Sequence, residues 1–312
     1  MREKLRIIFL PYLLVFATIL ALMVGAKWYI EIKERILLLN NLKFDIEITA
    51  LLAIVLSVIV LNKRMKIFRF TGKYGKPVKH GRYYYYIFIV PSIVVPVNFA
   101  LNYVGAACYG LVHVKSANEI KNHKRLSRYY AIDTMQVDVA VPLIGYDDYI
   151  EGGGRGSSTK ALVYVCHALL PVAHPDSVYT NQVWLGLYYK ERLGTTNSGY
   201  VQEQVFNAFA ANSERRIANA NEDIGNPVYY ENPPDNSLRR RFLSLIPHEY
   251  KMPDERIAVL CPRYQPFEDR AKPNAQGFAI STAIALFFIF MMIASTPVVP
   301  KRLMEYVGEV RA

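Results

Sequence analysis

Four uncharged apolar blocks constrain this chain more than any other feature. The first runs from Ile7 to Ala26 (IIFLPYLLVFATILALMVGA) and follows Arg2, Lys4 and Arg6. About 20 such residues cross a bilayer at 1.5 Å per residue. A basic start, an apolar run and the small residues Val24, Gly25 and Ala26 also fit a signal peptide. The run is long for that, so the reading is a retained helix over 7–26. The second block, Ile48–Asn62, is short for a span. Lys63 and Arg64 can snorkel from its end, and local thinning absorbs the rest. The third, Tyr83–Val114, opens on four tyrosines that suit a membrane interface, and it holds Pro91 and Pro96. The fourth, Gly277–Pro300, is followed directly by Lys301 and Arg302.

The net charge is +11, and its distribution matters more than its size. Lys115–Lys272 holds 19 Lys/Arg and 19 Asp/Glu, so the remaining 18 Lys/Arg and 7 Asp/Glu supply the whole excess. A nucleic-acid binder carries its basic excess on its folded domain. Here it flanks the apolar blocks, which points to a lipid bilayer as partner and away from nucleic acid. The segment 63–82 is rich in Lys and Arg and has no acid. By the positive-inside rule it is cytoplasmic, with both termini on the same side. Lys63, Arg64, Lys66 and Arg69 are its candidate topogenic or lipid-headgroup residues. The expected layout is three spans in 1–114 (about 7–26, 48–62 and 83–112), an extracytoplasmic domain at 115–276, a fourth span at 277–300 and a tail at 301–312. This describes a multi-pass protein of the bacterial inner membrane. In the third span, Asn98, Asn102 and Gly105 are candidate contacts with another membrane helix, in an oligomer or a protein partner.

The outside segment reads as an α+β domain with a mainly antiparallel sheet. Met135–Ile144 alternates, with Val137, Val139 and Val141 on one face. Lys160–Leu170 and Gln182–Arg192 read as strands, and Gly186 marks a bulge or a close backbone approach. Tyr200–Asn221 shifts to helical spacing through Val201, Val205 and Phe209, with Asn197 or Ser198 as its cap. Pro227–Glu231 and Arg256–Cys261 read as short strands around a helix at Ser237–Ile246.

Few residues carry recognisable chemistry. Gly152–Ser158 (GGGRGSS) lacks the Lys-Ser or Lys-Thr pair of a phosphate loop and is followed by a strand, so it reads as a flexible loop. Cys166 and Cys261 lie in expected strands; buried free thiols or a disulfide both fit. Cys108 lies at the outer end of the expected third membrane helix. The histidines lack the converging spacing of a metal site, and no cofactor is expected. Asp147–Asp148 and Glu268–Asp269 are carboxylate pairs on turn-like segments. The membrane blocks offer Ser57, Ser92, Ser281 and Ser295 without a partner base other than His113, which argues against proteolysis within them.

Leu111–Ile120 (LVHVKSANEI), Tyr129–Asp133 (YYAID), Trp184–Lys190 (WLGLYYK) and Gln265–Arg270 (QPFEDR) resemble the membrane-anchored N-terminal region of a group of bacterial rhomboid-family proteins. The order of two spans, basic loop, span, outside domain and span is similar too. In that family the catalytic rhomboid core follows this region and has no counterpart within 1–312, so no catalytic residue carries over. The resemblance implies an accessory or recognition module. The expectation is therefore a non-enzymatic membrane protein whose outside domain binds a protein, peptide or envelope component. One alternative is an envelope hydrolase assembled from Asp147, Asp148, His167 and His174. Another is a subunit of a larger transport or protease assembly.

Overall fold

The computed structural model describes residues 2–33, 42–68, 83–123, 126–151, 161–172, 182–193, 199–234, 237–247, 256–300 and 303–304. The chain divides into two compact units, Met1–Cys108 with Glu268–Ala312, and Tyr109–Phe267.

The first unit is helical. The turn α1 (Arg2–Lys4) widens into a π-helical stretch at Leu5–Phe9 and continues as α2 (Leu10–Lys27). Pro11 sits at the start of α2 and brings no N–H, and Leu10 donates back to Leu5 instead. Next come α3 (Leu42–Leu61) and α4 (Tyr83–Ala107), and α8 (Lys272–Ser295) closes the unit. α4 packs against α2, α3 and α8 around a core that includes Ile19, Ile93, Val97, Leu101, Ile289 and Ile293. Gly277 allows the closest approach, since a Cβ there would lie 2.4 Å from the ring of Phe99.

Side chains in this unit look after backbone groups that helices leave unpaired. Pro96 cannot donate to the carbonyl of Ser92, and the Tyr12 hydroxyl lies 3.4 Å from that oxygen and 2.9 Å from Ser92 Oγ. Arg270 donates to the carbonyls of Ala106 and Ala107 at 2.9 and 3.0 Å, capping α4. Lys4 donates to Thr296 O at 2.6 Å and to Ala294 O at 3.3 Å, capping α8. Arg64 reaches Ile7 O at 3.3 Å.

Among the described residues three helical stretches, not four, are long and apolar enough to cross a membrane: Leu5–Ile30, Tyr86–Ala107 and Phe267–Ser295. The expected second span falls short. The charge-free part of α3, from Ile48 to Leu61, reaches about 21 Å, against a hydrocarbon thickness of about 30 Å. Asp45 and Glu47 occupy its opening turns. Asp45 is buried there because Lys27 donates to it at 2.7 Å, and it also sits at the positive end of α3.

The second unit holds β1 (Leu111–Ser116), β2 (Tyr129–Thr134), β3 (Leu143–Glu151), β4 (Ala161–Pro171), β5 (Val183–Leu193), α5 (Gly199–Ala218), α6 (Ala220–Asp223), β6 (Tyr229–Glu231), α7 (Ser237–Ser244) and β7 (Ala258–Arg263). The seven strands form one sheet in the order β1-β2-β6-β7-β5-β4-β3. The sheet is mixed, which corrects the expectation of a mainly antiparallel one. β1 pairs with β2, and β5 with β7, in parallel. The reason lies in the connections. A 3-10 turn at Ala117–Asn122 separates β1 from β2, and α5, β6 and α7 intervene between β5 and β7. β1 was also concealed in the sequence, where it reads as the tail of the third apolar block.

Both faces of the sheet are covered. Cys166, Ala168 and Leu170 pack with Phe209 and Ile217 of α5, while Leu169 and Trp184 pack with Phe242 and Leu243 of α7. That explains why β4 is apolar throughout and does not alternate. The expected strand at Met135–Ile144 is only an isolated bridge, Val137 to Val172, before β3 begins. Asp138 Oδ1 accepts from Ala140 N–H at 2.9 Å and turns the chain, and Pro142 precedes β3. The helical spacing of Val205 and Phe209 corresponds to α5. The capping residues Asn197 and Ser198, and the glycine-rich loop, lie outside the described residues.

Candidate functional site

β5 and β7 run side by side for three residues, with Val183, Trp184 and Leu185 opposite Ala258, Val259 and Leu260. Beyond that point they part. β5 continues against β4, and β7 turns to β6, where Pro262 faces Tyr230. Pro262 has no N–H to offer a neighbour on the β5 side. Gly186 lets α7 close on the strand at the point of parting. A Cβ there would lie 2.8 Å from Val259 Cγ1 and 3.1 Å from the Phe242 ring. This is the close approach expected of Gly186.

The parting opens a crevice of about 790 Å³ where the short parallel pairing of β5 and β7 ends, beside the middle of β5 and the carboxyl end of β7. Crevices in that position are common ligand sites in sheets covered on both faces. Its rim carries exposed rings, Tyr188 at 45% and Tyr264 at 58%. Each lysine and arginine of its lining meets a carboxylate. Arg241 meets Asp147 at 2.7 Å, Arg216 meets Asp223 at 3.3 Å, Arg263 meets Glu231 at 2.7 Å, and Lys190 lies 3.5 Å from Glu151. The Arg216 guanidinium also lies over the Tyr189 ring at 4.3 Å from its centroid.

His167 lies at the floor, 6% exposed, with its ring edge-on to Tyr188 and Phe242. Its Nδ1 is 3.5 Å from Asp147 Oδ2. Burial pushes its pKa below the ordinary value of 6.5, and the Arg241 charge adds to that, while Asp147 works against it. The imidazole is therefore neutral at pH 7. Tyr188 is held above its usual range, chiefly by burial.

The structure brings together part of the set that the hydrolase alternative needs. Asp147, Asp148 and His167 all line the crevice. Asp147 and Asp148 are consecutive on β3 and so leave its opposite faces. His174 lies outside the described residues. Ser237 lines the crevice too, but no hydrogen bond joins it to His167 among the described residues. Among those residues no cluster of His, Cys, Asp and Glu could hold a metal ion.

The two cysteines of the sheet belong to different faces, Cys166 to the α5 side and Cys261 to the α7 side, and both are free. Burial pushes the Cys166 thiol up to about 11 and the Cys261 thiol up to about 12, so both stay protonated at neutral pH.

Of the candidate helix contacts, Asn98 and Asn102 are half-buried on α4 and Gly105 is buried. Asn98 Oδ1 is buried without a hydrogen-bond partner among the described residues. Of the candidate headgroup residues, Lys63 and Lys66 are exposed, Arg64 is engaged with Ile7 O, and Arg69 lies outside the described residues.

Sequence reasoning missed Tyr188, Lys190, Arg241 and Tyr264. One signal was present: β5 changes abruptly from apolar to YYKER where it leaves its partner. The run Arg239–Arg241 hid a division of labour. Arg239 is buried and donates to Asn232 Oδ1 at 2.7 Å and Ile257 O at 2.6 Å, whereas Arg241 faces the crevice. No family model, curated protein or solved structure matches the chain.

Proposed function

We propose that this chain is a non-enzymatic, membrane-anchored binding protein. Its apolar helices sit in a bacterial inner membrane with both termini cytoplasmic, and the Tyr109–Phe267 unit works outside. The crevice beyond Leu185 and Leu260 receives a protein, peptide or envelope component. The observation that carries this reading is the crevice itself. It combines exposed rings with fixed donor and acceptor pairs, which suits a polar ligand that is neutral or carries both signs of charge. The anchoring is supported by three apolar helices whose outward residues, among them Leu14, Ile87, Ile280 and Phe287, are exposed to whatever surrounds the unit. The basic flanks support the orientation. The likeness to rhomboid-family anchors supports a role as an accessory module.

A photo-crosslinking residue in place of Tyr188, compared with one in place of exposed Val228, tests the site in living cells. Adducts should concentrate at position 188, and equal yields at both positions would refute the crevice reading. Thiol reagents that cannot cross membranes test the orientation. A single cysteine in place of Lys66 should label only after the membrane is opened.

One observation favours a second reading. His167 and Asp147 form a neutral base with an orienting carboxylate at the floor of the crevice. A hydrolase would lose turnover of its substrate in His167→Gln, whereas a binding protein would keep its crosslinked adducts.

A further inference from the structure

The opposite end of the same two strands carries a second cavity, of about 300 Å³. Gln182 opens β5 there, Arg256 precedes β7, and Ala258 N–H donates to Gln182 O at 2.8 Å, holding the two together. Lys121, Asn122 and His123 come from the end of the 3-10 turn after β1. These five polar residues line a space that has no acid in its lining among the described residues.

The contrast with the crevice is direct. There every lysine and arginine of the lining has a carboxylate partner. Here, among the described residues, none of the five side chains makes a hydrogen bond or ion pair with the protein. The His123 ring only tilts toward Tyr130 at 6.5 Å. Glu119, two residues before Lys121, accepts from Lys115 N–H at 3.2 Å, and Asp254 and Glu255 before Arg256 lie outside the described residues. Like charges gathered without a counter-charge repel, and an anion between them relieves that cost. The donor set fits an oxyanion. A guanidinium offers a planar fork, a lysine a mobile point charge, and two side-chain amides add N–H donors. The volume accommodates a single small group and not a nucleic-acid helix.

We propose that this cavity binds a phosphate-type oxyanion, held by Lys121 and Arg256 and completed by Asn122, His123 and Gln182. Free phosphate and a phospholipid headgroup share that chemistry. The site is separate from the crevice, and its test does not depend on what the crevice binds.

The full chain in phosphatidylcholine nanodiscs is titrated with inorganic phosphate, with chloride keeping ionic strength constant. A parallel sample uses nanodiscs containing phosphatidylglycerol without added phosphate. Thermal unfolding is the readout, because a ligand that binds only the folded state raises the midpoint saturably. The double variant Lys121→Gln, Arg256→Gln accompanies both, and its changes are at exposed side chains. A saturable rise with phosphate, weakened at least about tenfold in the double variant, supports the site and identifies a free oxyanion. A rise in phosphatidylglycerol discs alone, again lost in the double variant, supports it and identifies a headgroup. No response to either, or the same response in the double variant, overturns the proposal.

Discussion

The two units solve the problem of buried polar groups in opposite ways. In the helical unit, charged and hydroxyl side chains serve the backbone. Lys4 and Arg270 cap helix ends, and Tyr12 sits where Pro96 has removed a hydrogen bond. In the sheet unit, side chains also tie together segments that lie far apart in sequence. Glu231 joins Arg128 on one side to Arg263 on the other, and Arg239 ties Asn232 to Ile257, the residue before β7. The difference follows from the elements. A helix satisfies its own interior and leaves only its ends and its prolines wanting. A sheet covered on both faces must instead hold together strands that lie far apart in sequence, and a mixed sheet with short ladders has few backbone bonds at the junctions. The β5–β7 pairing covers three residues, and it is bordered by the Asn232–Arg239 cluster on one side and by the crevice on the other.

If cross-strand side chains carry that junction, Arg239→Leu should be the most damaging change. It leaves the carbonyl of Ile257 without its donor inside the protein and removes one of the bonds to Asn232. The expected loss is about 3 kcal/mol, read by chemical unfolding. Hydrogen exchange should rise around β7 and stay unchanged in α4 and α8. Uniform loss in both units would break the comparison. The helical unit should respond instead to packing. Gly277→Val places atoms where the Phe99 ring lies, and forced separation of α4 from α8 should cost about 1–3 kcal/mol. Thermal unfolding of the purified protein measures it, and Phe99→Ala in the same chain should recover part of the loss.

These contrasts also mark what the sequence could disclose. Apolar blocks with no charge are legible because a long helix is written in consecutive residues. α2, α4 and α8 could therefore be placed, and α3 misled because its apolar half is complete while its acidic half is held by Lys27 from another helix. β4, β5, α5 and α7 were legible from composition and period. The parallel pairings were not, because nothing local distinguishes a strand entering a hairpin from one entering a crossover. Met135–Ile144 alternates like a strand, yet Asn221 from α6 bonds both the N–H and the C=O of Val137 and takes the place of a neighbour strand. The crevice was half legible. Asp147 and His167 stood out as chemical residue types, while Tyr188 and Tyr264 became a site only through the parting of two strands.

The sheet unit should also be the one sensitive to mild acid. The pKa of His167 is lower in the folded protein than in the unfolded chain, so the unfolded chain takes up the proton more readily. The stability this contributes is present above the unfolded value of 6.5 and is lost as pH falls through the lower folded value. The unfolding midpoint should drop on going from pH 7 to pH 5, and His167→Gln should flatten part of that drop. An unchanged pH profile in the variant would mean that the loss comes from the carboxylates of the ion pairs instead.

The smallest expected effect tests the helical half of the comparison most narrowly. Lys4 reaches three carbonyls at the end of α8, and its contribution combines hydrogen bonding with the attraction of a cation to a helix C-terminus. Lys4→Met keeps the length and apolar bulk of the side chain while removing the charge and the donors. The cost should be about 0.3–1 kcal/mol, confined to the last turn of α8, and visible as faster exchange of amides there. Lys4→Arg should retain most of the protection, because a guanidinium also offers several donors to clustered carbonyls. If Lys4→Met instead disturbs the packing of α2 against α4, the lysine acts through its position beside the π-helical stretch at Leu5–Phe9. Side chains of the helical unit would then bind elements together as those of the sheet do, and the division between the two units would fail at this point.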